Sequence, residues 1–277
     1  MSNRTIQSVA LRVPELAAAR EFYHGLVGLE VISETDDRVV LGAGGEEVVT
    51  LHAAPEAPRR AGREAGLFHL ALRFPDRRSL ADVLARLLGA DYPLTGASDH
   101  HVSEALYMSD PGESGVELYC DRPRSAWERE ASGETRMTTE PLDVDDLRQT
   151  ASEPTPTAAP DGTDLGHVHL EVTDLERAVV FYRDILGMAI QTTRRGAAFL
   201  SWEGYHHHVA LNTWSHRRQP HDPETLGLSS VTATLSGASV DAIATRAAEH
   251  GIAVDRSGGG LRLTDPDGMI WWLRSRS

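Results

Sequence analysis

The chain has 277 residues, 40% hydrophobic and 25% charged, enough to bury a real core as one large domain or two ordinary ones. Its formal charge of −14 excludes nucleic acid and anionic membrane as general partners. All 27 basic residues are Arg, which rules out lysine Schiff bases and lysine-dependent phosphate loops. The single Cys120 can close no internal disulfide and supply no cysteine-based metal cluster. With no apolar run of about 18 residues and no signal-like start, a cytoplasmic protein without a membrane span is expected, and its 13 histidines are the unusual feature.

Taken along the chain, the first segment repeats. VALRVPELAAAREFYHGLVGLEV overlays VHLEVTDLERAVVFYRDILGMAI at an offset of 159 residues, matching Val9 with Val168, Leu11 with Leu170, Phe22 with Phe181, Tyr23 with Tyr182 and Gly28 with Gly187. Segments beginning near Phe68 and Ser229 share a second pattern that ends in an Asp-Pro turn, at Asp110-Pro111 and Asp265-Pro266. Four modules of strand, helix and strands follow. The opening strands alternate apolar residues (Val9, Leu11, Val13; Leu70, Leu72, Phe74; Val168, Leu170, Val172; Val231, Ala233, Leu235), so one face of each is buried. In the first module, Leu16, Ala19, Phe22, Tyr23 and Leu26 have helical spacing, and Gly28 is the expected stop. Residues 1–122 then hold modules one and two, a polar Thr, Pro and Ala rich stretch over 123–164 reads as a linker in which Trp127 argues for some packing, and 165–277 hold modules three and four.

The alternates that face away from the helix carry any chemistry. They are Ser8, Ala10 and Arg12 in module one; His69, Ala71 and Arg73 in module two; His167, His169 and Glu171 in module three; Ser230, Thr232 and Thr234 in module four. Closing strands add Glu117 and Tyr119 in module two and His208, Ala210 and Asn212 in module three, against Trp272 in module four. Modules two and three are polar where one and four are not. Two imidazoles and one carboxylate on neighbouring strands are the set that holds Fe(II) on one face and leaves the other open, and His69, His167 and Glu117 fit it. His169 is expected beside the ligands rather than among them, and strand alternation selects His208 from the run His206 to His208. Arg73, Asn212 and Trp214 are candidates to line a pocket, with ordinary packing an equal reading.

The stretches LGHVHLEV, GLFHLALRFP and SDPGESGVELY resemble the vicinal oxygen chelate superfamily, which includes glyoxalase I and the extradiol ring-cleaving dioxygenases. GLFHLALRFPDR, DHHVSEALYMSDP, ELYCDRPRS and GYHHHVALNTW resemble its two-domain bacterial catechol-2,3-dioxygenase branch. The resemblance implies an α+β fold of four βαβββ modules forming two half-barrel domains, with metal ligands on first and last strands. Well-known extradiol enzymes draw their ligands from modules three and four. Here module four offers Ser230 and Trp272, so we expect the arrangement of some hydroquinone-cleaving relatives, in which module one pairs with module four and two with three.

The same resemblance implies roles for further residues. Tyr107, ten residues before Glu117, matches a tyrosine that contacts the substrate oxygen, and His100, with His101 as the alternative, matches a pocket histidine. His207 matches the proton-transferring histidine, so both His207 and His208 are kept. The expected activity is an Fe(II)-dependent extradiol dioxygenase, with Mn(II) as the alternative ion, acting on a small aromatic diol and O2; a homo-oligomer is compatible with the sequence. Two other readings are a glyoxalase-like lyase or isomerase and a non-catalytic binding protein of the same fold.

Overall fold

The computed structural model describes residues 5–131, 133–256 and 258–276. The repeat predicts four strand, helix and three-strand modules, and these are present. Module one runs β1 (Thr5–Val13), α1 (Leu16–Arg20), continuing as a π-helical stretch over Glu21–Leu26, then β2 (Glu30–Glu34), β3 (Arg38–Ala43) and β4 (Glu46–Ala53). Module two runs β5 (Gly66–Phe74), α2 (Arg77–Gly89), β6 (Gly96–Asp99), β7 (Ser103–Ser109) and β8 (Gly115–Asp121). The stretch read as a linker contains β9 (Glu140–Pro141) and α3 (Val144–Arg148). Module three follows as β10 (Asp164–Glu171), α4 (Leu175–Val180) with a second π-helical stretch over Phe181–Ile185, β11 (Ala189–Arg194), β12 (Ala197–Ser201) and β13 (Val209–Asn212). Module four is β14 (Gly227–Leu235), α5 (Gly237–Glu249), β15 (Val254–Asp255), β16 (Leu261–Thr264) and β17 (Ile270–Ser275).

Local chemistry explains the helix ends. Asp76, Asp174 and Ser236 each accept a hydrogen bond from the backbone N–H three residues on, satisfying a donor that the helix itself leaves open. Gly28 (φ +92°) and Gly187 (φ +73°) close the first and third helices in the left-handed region at matching repeat positions. The apolar alternates of the opening strands are buried as predicted, and α2 packs on β8, α4 on β12 and β13, and α5 on β17. Each fully buried Leu or Phe in these faces contributes about 1.5 to 3 kcal/mol relative to exposure.

The chain forms two compact units. One holds the described residues up to Arg12, together with Glu56–Phe68 and those from Gly166 onward. In it β1 lies antiparallel on β14, with Val9 opposite Val231, and β14, β17, β16 and β15 follow in order; β10, β13, β12 and β11 are likewise adjacent in turn. The other unit holds Val13–Pro55 and His69–Leu165, with β4, β3 and β2 adjacent in turn and β5, β8, β7, β6 and β9 likewise. The linear division at 122 and 165 therefore describes the repeat, not the make-up of the units, because the first strand of module one hydrogen-bonds to the first strand of module four. In modules two, three and four the first strand runs parallel to the last, so their side chains stand next to each other.

Two hydrogen bonds tie parts of the stretch read as a linker to module two: the Trp127 indole N–H donates to the Arg122 carbonyl at 2.9 Å, and the Ser152 backbone N–H donates to the buried Asp82 carboxylate at 2.6 Å. A buried tyrosine and aspartate recur at repeat-equivalent places. The Tyr23 hydroxyl donates to Asp110 at 2.9 Å in one unit, and that of Tyr182 donates to Asp265 at 2.8 Å in the other. Burial is the main cause that pushes Asp110 up to about 6 and Asp265 up to about 7. Among the described residues, no helix is long and apolar enough to cross a membrane.

Candidate metal centre and its surroundings

In the unit containing module two, β5 and β8 run parallel with Ala71 opposite Glu117, which brings the alternate His69 beside the carboxylate. Both side chains are buried, and His69 Nε2 lies 3.0 Å from Glu117 Oε2. Tyr107 stands opposite Glu117 across β7 and β8. Burial, then the Glu117 charge and a hydrogen bond to that carboxylate, raise the Tyr107 phenol well above its ordinary value. The Tyr107 hydroxyl also lies 2.7 Å from His100 Nε2, while His100 Nδ1 lies 2.5 Å from the Thr138 carbonyl. A carbonyl only accepts, so His100 carries a proton on Nδ1 and turns Nε2 towards the phenol. Its neighbour His101, in the left-handed region at φ 65°, faces Glu140 at 3.3 Å instead. Of the two histidines the resemblance left open, His100 is the one at Tyr107. Arg73 is engaged by Asp121 and Asp164, at 3.1 and 2.6 Å.

In the other unit, β10 carries His167, His169 and Glu171 in alternation, all buried. The ring of His207 lies 4.0 Å from that of His167, and His206 Nδ1 is 2.7 Å from His207 Nδ1. His208 turns elsewhere: its Nδ1 accepts from the Trp202 backbone N–H at 3.2 Å, and its ring lies against Tyr205 and Trp202. Strand alternation selects His208 by extending the period of two back from Val209, and the His208 backbone pairs with both neighbouring strands: its N–H donates to the Leu200 carbonyl at 2.8 Å, and its carbonyl accepts from the Val168 N–H at 3.1 Å. Asn212 Oδ1 accepts from the Trp214 backbone at 3.1 Å, which orients its amide nitrogen to donate to His169 Nε2 at 2.9 Å. His169 is thereby held by Asn212, a contact that spacing alone did not pair. Glu171 is bound by Arg60 at 3.0 Å and by Arg217 at 2.7 Å.

His69, Glu117 and His167 form a group that could hold a metal ion: each offers one ligand atom, and these atoms lie within 4.8 Å of one another. Two imidazoles and a carboxylate with no sulfur suit a divalent ion of the first transition row. Successive modules whose first and last strands lie parallel and side by side define a fold of the glyoxalase type.

The comparisons agree. The family model described as the Glyoxalase/Bleomycin resistance protein/Dioxygenase superfamily matches residues 5–118 and 164–273, and the chain belongs to that superfamily. It is 38% identical over 264 residues to a protein named catechol-2,3-dioxygenase from Bacillus subtilis (strain 168), covering 92% of each chain. Among solved structures, a putative dioxygenase from Bacillus subtilis aligns with a TM-score of 0.64 at 12% identity over 98% of this chain and 84% of the other. Glyoxalase I from Zea mays aligns at 0.60 and 16% over 98% and 92%. At such identities these structures support the fold, which is the α+β arrangement of βαβββ modules expected from the sequence.

Proposed function

We propose that this protein is an Fe(II)-dependent extradiol dioxygenase, cleaving a catechol-type ring with O2 to a muconic semialdehyde-type product. The observation that carries this reading is the buried set His69, Glu117 and His167, in a chain 38% identical to a named catechol-2,3-dioxygenase. When bound, the metal supplies a coordination face that brings diol and O2 together; Mn(II) suits the same donors. The chain supplies geometry and protons. His207, beside His167, takes a diol proton, and its Nδ1 contact with His206 fixes the ring that does so. Tyr107 hydrogen-bonds the substrate oxygen, and His100, anchored on the Thr138 carbonyl, holds the phenol in place.

The test is anaerobic loading with Fe(II) followed by catechol in aerated buffer, recording oxygen uptake and the yellow product together. Uptake with colour is expected. Tight metal binding without uptake of oxygen, with turnover of a carbonyl substrate, would replace this reading with a glyoxalase-like one, and absence of divalent-metal binding would replace it with a binding protein.

A further inference from the structure

We propose that the notch between α5 and the end of the module-three helix is a docking site for an irregular, proline-containing segment of a partner protein. The internal repeat carries the inference, because the equivalent notch beside α2 is filled by such a segment of the chain itself. There Arg86 donates from Nε to the Leu26 carbonyl at 2.8 Å, from Nη2 to the Val27 carbonyl at 2.7 Å, and from Nη1 to the Pro156 carbonyl at 2.7 Å. One turn before Arg86, the buried Asp82 carboxylate accepts from the Ser152 N–H at 2.6 Å and from the Ser152 hydroxyl at 3.1 Å. The Ala159 N–H donates to the Gly28 carbonyl at 2.8 Å. A Cβ on Gly28 would come within 2.7 Å of the Ala159 nitrogen, so the segment 152–159 lies directly on that glycine.

The other unit repeats the frame of this notch. Arg86 and Arg246 hold the same position in α2 and α5, which are both 13 residues long. Arg246 Nε donates to the Ile185 carbonyl at 2.9 Å, as Arg86 does to Leu26. A Cβ on Gly187 would meet Arg246 Nη2 at 3.1 Å, and one on Gly28 would meet Arg86 Nη2 at 3.0 Å. The next bond differs: the Leu186 carbonyl, counterpart of Val27, accepts from the Trp202 indole N–H at 2.9 Å. Among the described residues no acceptor then meets either Nη group of Arg246, and no N–H donates to the Gly187 carbonyl. What lies there is a cavity of about 160 Å³, with Leu186, Gly187, Trp202, Leu235, Ile243 and Arg246 in its lining.

This lining selects the occupant. The guanidinium N–H groups require carbonyl oxygens and the Gly187 carbonyl requires an N–H, a combination that a peptide backbone offers together. A bare anion satisfies Arg246 but has no proton to give Gly187. A cavity of roughly 150 Å³ takes up a group the size of benzene, and a proline ring against Trp202, Leu235 and Ile243 is of that size. Proline also leaves the free segment less freedom to lose on docking. The chain's own segment 152–159 is held on α2, so the occupant comes from another protein. One position departs from the counterpart: the exposed Ala242 stands on α5 where α2 carries Asp82, so the carboxylate that receives Ser152 is missing. The site is independent of the reaction at His69, Glu117 and His167.

The probe is the peptide SEPTPTAA, the sequence of residues 152–159, capped at both ends and titrated calorimetrically into the full chain. Saturable one-to-one binding with Kd below about 1 mM is expected. Arg246→Gln should weaken it fivefold or more, and Arg86→Gln should leave it unchanged. Ala242→Asp, which installs the counterpart of Asp82, should strengthen it threefold or more. A probe with proline as its last residue has no N–H for Gly187 and should bind at least fivefold more weakly. Arg246 also holds the Ile185 carbonyl, so Ala242→Asp and the altered probe keep the outcome independent of folding. No binding to wild type, an affinity indifferent to both Arg246→Gln and Ala242→Asp, or loss in Arg86→Gln instead would each overturn the site. Sedimentation of the chain alone is read alongside: self-association abolished by Arg246→Gln would give the cavity to a second copy and overturn the partner segment.

Discussion

Modules one and four share their plan with modules two and three, yet the residues on their open faces differ. Where modules two and three carry His69 and His167, modules one and four carry Ser8 and Ser230; where module two closes with Glu117, module four closes with Trp272. The packing residues do the opposite. Tyr23 with Asp110 and Tyr182 with Asp265 repeat nearly atom for atom, at 2.9 and 2.8 Å. What recurs in this chain is the scaffold, and what breaks the repeat is the chemistry.

That contrast can be tested at its strongest point first. Glu117→Gln removes the carboxylate of the proposed metal set, and metal affinity measured by elemental analysis after dialysis should fall on the order of 100-fold or more. Retention at the wild-type level would remove Glu117 from the ligands. His207→Phe should lower kcat by about 100-fold or more with metal content unchanged. His208→Phe, which loses the acceptor for the Trp202 N–H, should instead lower thermal stability; if it is His208 that abolishes turnover, the two assignments exchange.

The repeated tyrosine and aspartate sharpen the scaffold side. Asp110 and Asp265 have folded values raised to about 6 and about 7, above their unfolded value, so the stability each contributes is complete below about pH 4 and is lost as pH rises through those values. Asp265→Asn should therefore gain on wild type between pH 4 and 8, on the order of 3 kcal/mol by denaturant titration, and Asp110→Asn should do so somewhat less and at lower pH. A difference from wild type that stays flat with pH would show that these carboxyls do not titrate as the fold implies. The smallest effect belongs to module four: Ser230→Ala should leave metal content as it was and change stability by less than about 0.5 kcal/mol. Loss of metal in that variant would break the division between the two kinds of module.

Much of this was legible in the sequence because periodicity reports one-sided burial. Val9, Leu11 and Val13 alternate, and the Leu16 to Leu26 pattern ends at Gly28, so four modules could be counted. His69, Glu117 and His167 stood out because the repeat offered serine and tryptophan at the equivalent places. Other features leave no period. The helix of module one changes to π-helical winding at Glu21, and α3, only five residues long, is held by a polar stretch around one buried leucine, Leu147. The docking of Glu56–Phe68 through Glu64 and the pairing of Asn212 with His169 join residues far apart in sequence whose identities are ordinary.

The pairing of β1 with β14 also bears on how the molecule is made. Thr5 lies opposite Thr234 and Arg12 opposite Gly227, so a strand of module one hydrogen-bonds to a strand of module four that is synthesised much later. Contacts of such sequence separation close slowly, because a long loop must lose its freedom before they form. Until Gly227–Leu235 emerges, β1 has one hydrogen-bonding edge without its final partner, and during translation that edge is open to chaperones or to aggregation.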